Sequence, residues 1–282
     1  MKYLTIVAVM CLAVCTGLSP AITASPLNPA REITVIATNH ADVFRLGESV
    51  VVDGEHLLAQ GKNATTSTTV FVFQRHFGGA DAWNLRAEIV PPVSMYSNVS
   101  GLALSGDIAA VGDTLDSSAA YRAGAVHLFY RNFPSADQWG HWLTITPPDA
   151  VATNGFGYKV ALNDRYLAVT VANDATNAAY LFGRNTGGAE QWGLVRKFVS
   201  PISRQLEDAS VALSGDRLVM GAWKNSSNEM TRIFERNAGG PDNWGLAKSL
   251  TAAGVTNFFG FDVAMDGDTV VVGAYLDNDA GP

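Results

Sequence analysis

Four times along the 282-residue chain a Phe-x-Arg triplet is followed, eight residues after its Arg, by a Trp. The arms are Phe73, Arg75 and Trp83; Phe129, Arg131 and Trp139; Phe182, Arg184 and Trp192; and Phe234, Arg236 and Trp244. They lie inside longer near-copies that begin at Ser49, Gly101, Lys159, Ser210 and Asp262, 51 to 58 residues apart. A solvated loop would drift in length between copies, so a constant arm is read as a packed structural part. A period of this size belongs to stacked supersecondary units, each burying its apolar face against the next.

The apolar residues come in short runs cut by Gly, Asp, Asn and Ser, which reads as strands rather than helices. Each unit predicts four. The first, as in Ser210 to Leu213, alternates small and large residues around a central Ala (Ala103, Ala161, Ala212, Ala264). A tight turn follows at Asp53-Gly54, Ser105-Gly106, Asn163-Asp164, Ser214-Gly215 and Asp266-Gly267; such pairs supply the positive φ of short hairpins. The second strand, as in Val270-Val271-Val272, is apolar throughout and predicts burial on both faces. The third carries the arm. The fourth begins after the Trp and bears Arg196, Lys197 and Lys248, charges that discourage pairing at an outer edge. Four antiparallel strands, buried inside and charged outside, make one propeller blade. The expected fold is therefore all-β: a β-propeller of four full four-stranded blades and a partial fifth.

The N-terminus reads as an address. Lys2, the apolar run Leu4 to Leu18 and the small residues around Ala21 to Ala24 have the layout of a secretory signal peptide, residues 1–24. A retained anchor and a lipoprotein signal ending at Cys15 are the other readings. Residues 25–31 are a linker, and 32–282 the repeats, with Glu32 to Thr38 expected as an outer strand. Cys11 and Cys15 both fall inside the signal, so the processed chain has no thiol for disulfides, metal or nucleophilic chemistry. The net charge of −7 and scattered basic residues speak against nucleic acid.

The order Phe-Gly, then S-V-A-L-S-G-D, then Gly-Ala, then the arm resembles the FG-GAP repeat, the blade of integrin α-subunit propellers and of many secreted bacterial proteins. Phe-Gly survives at Phe156-Gly157 and Phe259-Gly260; Leu46-Gly47, Asn98-Val99 and Glu207-Asp208 stand elsewhere. Gly-Ala survives at Gly221-Ala222 and Gly273-Ala274, with no Pro after it. The resemblance covers Glu32 to Pro282. Rings of this kind usually have seven blades, so the expectation is an incomplete seven-bladed ring, open at the apolar strand Thr269 to Gly273 and prone to self-association.

The resemblance also implies calcium in the loop after Gly-Ala. Asp277-Asn278-Asp279-Ala280-Gly281 is the best match, with Asp277 and Asp279 as metal ligands; Asp113 with Asp116, and Asp174 with Asn177, are poorer. A solvated polar turn is the other reading of all three. The repeated Trp residues read as wedges between blades, because a ligand site rarely needs every copy; sugar stacking is the alternative. Trp142 and Trp223 lie outside the repeated position and are better placed for a surface contact. The carboxylate two residues before each Trp (Asp81, Asp137, Glu190, Asp242) holds the loop by accepting backbone N–H groups, or pairs with the arm Arg, or is simply solvated. His40, His56, His76, His127 and His141 show no metal spacing, and neither a nucleophile elbow nor a phosphate loop is present. Asn63-Ala64-Thr65, Asn98-Val99-Ser100 and Asn225-Ser226-Ser227 are glycosylation sequons.

The function expected is a non-enzymatic binding or adhesion module, secreted or at the cell surface (or periplasmic), with an unknown extracellular protein or glycan as partner. The expectation includes no cofactor unless calcium, and no membrane span in the processed chain. The alternative is a propeller-type enzyme or lectin acting on extracellular polysaccharide.

Overall fold

The computed structural model describes residues 4–5, 34–35, 46–62, 68–79, 82–89, 92, 99–173, 178–199, 210–221, 231–251 and 259–274. Outside them lie nearly all of the signal segment, the linker, Asp81, Asn63, Asn98, the Asp174 to Asn177 loop, Glu207-Asp208, Trp223, the Asn225 sequon and the Asp277 to Gly281 loop.

The described chain is all-β. A short pair, β1 (Leu4–Thr5) and β2 (Thr34–Val35), is antiparallel. Thr34–Val35 is the described part of the segment expected as an outer blade strand; it pairs with Leu4–Thr5 and with no blade. Four four-stranded antiparallel meanders follow. The first blade is β3 (Val50–Asp53), β4 (His56–Lys62), β5 (Thr68–Arg75) and β6 (Trp83–Ile89). The second is β7 (Val99–Ser105), β8 (Ile108–Asp113), β9 (Ala125–Arg131) and β10 (Trp139–Ile145). The third is β11 (Phe156–Leu162), β12 (Tyr166–Val171), β13 (Ala179–Arg184) and β14 (Trp192–Phe198). The fourth is β15 (Val211–Ser214), β16 (Arg217–Met220), β17 (Thr231–Glu235) and β18 (Gly245–Leu250). The pair β19 (Phe259–Asp266) and β20 (Thr269–Ala274) begins a fifth.

The burial gradient follows the sequence pattern. Strands β8 and β12 are buried along their whole length, whereas β14 is exposed at its centre and β18 along most of its length. The equally apolar β20 is half-exposed, since no third strand is paired to it among the described residues. The core lies between blades. One cluster joins Leu58, Val70 and Val72 to Ala109, Val111 and Phe129. The next joins Val126 and Leu128 to Leu167, Val169 and Tyr180, and a third joins Ala168 and Leu181 to Leu218 and Phe234.

The first turn of each blade departs from expectation by one residue. Asp53 pairs with His56 and Ser105 with Ile108, so the turning residues are Gly54-Glu55 and Gly106-Asp107. Gly stands first, at φ +56 and +55, as a type II′ hairpin requires. The freed Asp53 carboxylate instead reaches the next blade, where it accepts the Gly106 N–H at 2.6 Å. Ser214 does the same for Gly267 N–H at 3.0 Å. In the third blade, which lacks the Gly, the Asn163 side chain closes the turn by accepting the N–H groups of Arg165 and Tyr166.

The Phe-Gly element is a blade-to-blade contact. Gly47, Gly157 and Gly260 share one backbone state, φ +94, +95 and +98. A Cβ on Gly112 would overlap the carbonyl of Gly157, and one on Gly221 would overlap that of Gly260. The second strand of one blade thus meets the Phe-Gly of the next at backbone distance.

Candidate functional site

The arms are built alike. In the second blade Arg131 pairs with Trp139 across the β9–β10 hairpin, and in the third Arg184 pairs with Trp192. The residue after each Arg takes a left-handed conformation: His76 (φ 62), Asn132 (67), Asn185 (64) and Asn237 (72). Asn suits this region better than most side chains. It also holds the far side of the loop, because the Asn Oδ1 accepts the N–H of Asp137, Glu190 or Asp242 at 2.8, 2.8 and 2.7 Å. Those acidic residues are left-handed too, and their carboxylates return to the arm Arg at 2.8, 2.9 and 2.5 Å. The carboxylate therefore pairs with the Arg, and the backbone N–H it offers goes to an Asn that the sequence reading passed over. Trp139, Trp192 and Trp244 are buried, each packed against the preceding blade; Trp83 is half-buried. Trp244 meets Tyr166 edge-on at 5.1 Å. These residues form the frame of each blade.

At the opposite end of the blades, the 113–124 loop of the second blade and the 146–155 connection to the third enclose a cleft of about 290 Å³. Its walls include Thr114, Arg122, Thr153, Tyr158 and Asn173. The loops are interlocked by backbone bonds: Thr153 N–H to Tyr121 O, Phe156 N–H to Ala123 O, and the N–H groups of Ala172 and Asn173 to Asn154 O. Arg122 and Thr153 are held left-handed, φ 50 and 67, a strained state that persists only where surroundings impose it. Tyr121, next in the chain to the lining residue Arg122, stands 63% exposed, with the Arg122 guanidinium 5.3 Å from its ring. Among the described lining residues one is cationic and none is acidic.

Next to the cleft lies a group of buried polar side chains. Asp113, Asp116 and His127 are buried. Asp113 accepts the Leu115 N–H and Asp116 the Ser118 N–H and hydroxyl. His127 Nε2 lies 3.6 Å from Asp116 Oδ2, and its Nδ1 lies 3.1 Å from the Thr144 hydroxyl. Burial pulls the His127 pKa down to about 4. The carboxylates of Asp113 and Asp116 are thus occupied in part by backbone N–H groups. Among the described residues no group of three or more His, Cys, Asp or Glu side chains is arranged for a metal. Asp277 and Asp279 lie outside those residues.

The FG-GAP repeat family matches residues 244–282, from the fourth arm Trp through β19 and β20. Residues 244–282 thus match one FG-GAP repeat. The match begins where the outer strand of the fourth blade begins, and the preceding blades have the same strand order and the same arm. No curated protein matches the chain. Among solved structures, the computationally designed Ika8 protein is similar at 14% identity and a TM-score of 0.46, over 80% of this chain and 54% of that one. The chain thus spans about half the length of that designed protein. Among the described residues no helix is long and apolar enough to cross a membrane.

Proposed function

We propose that the protein is a secreted or cell-surface binding module without catalytic activity, and that its FG-GAP-type blades present the cleft between the second and third blades to an extracellular partner. One observation carries the reading: a rigid, solvent-open cleft with a cationic Arg122 in its wall and an exposed Tyr121 beside that guanidinium, built by loops whose strained residues the surrounding bonds impose. Binding residues concentrate on loops fixed by a rigid scaffold. The buried acid and histidine of the same loop region, Asp116 and His127, have no exposed side-chain surface, which keeps them from touching a substrate. A cationic wall with no described carboxylate favours an acidic group on the partner, a uronate, a sulfate or a protein carboxylate. FG-GAP repeats are typical of extracellular proteins, which supports the location.

The test is surface plasmon resonance of the full chain against panels of extracellular matrix proteins and acidic glycans. Binding is expected to weaken at least about tenfold in Arg122→Ala or Tyr121→Ala, the loss of one good polar or aromatic contact. Binding that both variants retain would remove the cleft from the reading. Release of reducing sugar from any polysaccharide tested would favour the enzyme instead.

A further inference from the structure

Strand β10 meets β9 with one residue too many. His141 pairs with Phe129 and Leu143 with Leu128, so Trp142 is a bulged residue outside the ladder. A bulge re-aims the side chain it carries. The same bulge recurs at Arg86 in the first blade, Val195 in the third and Ala247 in the fourth. Arg, Trp, Val and Ala all serve, so the blade does not need an indole there. Two neighbouring positions vary in the same way. The middle residue of the arm triplet is Gln74, Tyr130, Gly183 and Glu235 in turn, and the second residue after the arm Arg is Phe77, Phe133, Thr186 and Ala238. The second blade alone has aromatic residues at all three.

They form one platform. Trp142 is 41% exposed, meets Phe133 edge-on at 5.0 Å and leans on Tyr130 at 5.3 Å. Beyond Tyr130 lies polar surface supplied by the third blade. The Tyr130 hydroxyl donates to Glu190 Oε2 at 3.4 Å, and Arg184 donates to both Glu190 oxygens. The Arg184 guanidinium lies 5.8 Å from the Tyr130 ring. Arg184 and Glu190 both retain solvent exposure.

We propose that this platform binds a neutral sugar, with the C–H face of one pyranose ring on the Trp142 indole and its hydroxyls on the Tyr130, Glu190 and Arg184 group. A sugar ring has one apolar face and hydroxyls that both donate and accept. The platform offers an exposed aromatic plane next to carboxylate acceptors and guanidinium donors. The Arg184 charge is already matched by Glu190, so nothing here selects an anion. One indole and a phenyl edge fall far short of the roughly 800 Å² per partner that a stable protein interface covers. The inference rests on the reading of the chain as an extracellular binding scaffold. It concerns the opposite end of the blades from the Arg122 cleft and fails or stands separately from it.

The experiment screens the full chain against immobilised neutral oligosaccharides (cellotetraose, chitotetraose, mannotetraose, xylotetraose and galactotetraose), then measures the best ligand by titration calorimetry. At least one is expected to bind, with affinity reduced tenfold or more in Trp142→Ala, partly kept in Trp142→Phe and unchanged in Arg122→Ala. Trp142→Ala should melt as the parent does, because the fourth blade already has Ala247 at the same bulge. Binding of none of the five at millimolar concentration, or equal binding by Trp142→Ala, overturns the proposal. Binding of acidic glycans alone, lost in Arg122→Ala, also overturns it while leaving the cleft reading intact.

Discussion

Gly112 of the second blade and Gly157 of the third touch backbone to backbone: a Cβ on Gly112 would overlap the Gly157 carbonyl, and one on Gly157 would press on Ala125 O and Gly112 Cα. The contact explains why the Phe-Gly and the Gly of the preceding second strand go together. Glycine leaves room for two backbones to close on each other, and the apolar strands β8 and β11 are drawn into contact around them.

The first prediction follows from that contact. Gly112→Ala is expected to destabilise by about 3 kcal/mol or more, at the upper end of overpacking, because both clashing partners are backbone. Gly215→Ala is the control. Nothing stands within 4 Å of its Cβ position, and its φ of +54 leaves only the left-handed penalty, about 1–2 kcal/mol. Urea denaturation of the two variants compares them; equal losses would mean that the contact is not tight.

Trp244→Ala should cost about 3–5 kcal/mol, as deletion of a buried aromatic does, because the ring is 1% exposed and wedged against the third blade. Trp83→Ala should cost clearly less, since its ring is only half-buried. Denaturant midpoints of both variants check the order. The reverse order would remove the wedge role.

Asn185→Ala should lose about 2 kcal/mol: roughly 1 for the bond to the Glu190 N–H and roughly 1 for placing Ala in a left-handed state. Asn185→Gly keeps the conformation and should lose only about half of that. Glu190→Gln should change stability by at most about 1 kcal/mol, because its pair with Arg184 is partly solvated. A larger loss for Glu190→Gln than for Asn185→Ala, read by chemical denaturation, would put the ion pair in charge of the loop.

How far these features are legible without coordinates depends on their range in the chain. The arm is legible because Arg131 and Trp139 are close in sequence and repeat at fixed spacing. So is the four-strand blade, since the pattern around Leu218 to Met220 differs from that around Lys248. The Asn132, Asn185 and Asn237 caps recur in the same repeat, but their bonds to the backbone five residues on carry no signature that sets them apart from the neighbouring carboxylates. The turn at Asp53 was misplaced by one residue, since Asp-Gly reads equally well with either register until the His56 pairing fixes it. The Gly112–Gly157 contact and the Arg122 cleft join different blades, and no local pattern announces them. Trp142 is legible as a Trp outside the repeated position. That the same bulge exists without it took the register of all four blades.

The last prediction concerns acid. His127 has no exposed side-chain surface and sits among Asp116, Thr144 and His141, whose ring lies 5.6 Å away. Burial lowers its pKa from 6.5 to about 4, with His141 pushing the same way and Asp116 opposing. The unfolded chain therefore takes up a proton at this site that the folded chain refuses between those values. Stability from this residue is fully present above pH 6.5, falls as pH drops through that window, and levels off below about 4. At about 1.4 kcal/mol per pKa unit the loss is at most about 3.5 kcal/mol. His56 and His141, both lowered first by burial, add losses of the same sign. Asp137 and Asp149, held below the usual carboxylate range, add theirs only at more acid pH. Urea denaturation at pH 7.5 and pH 4.5 should show a large difference for the parent chain and a smaller one for His127→Gln, whatever the variant's absolute stability. An identical difference in the two proteins would mean that His127 titrates as freely in the folded chain as in the unfolded one.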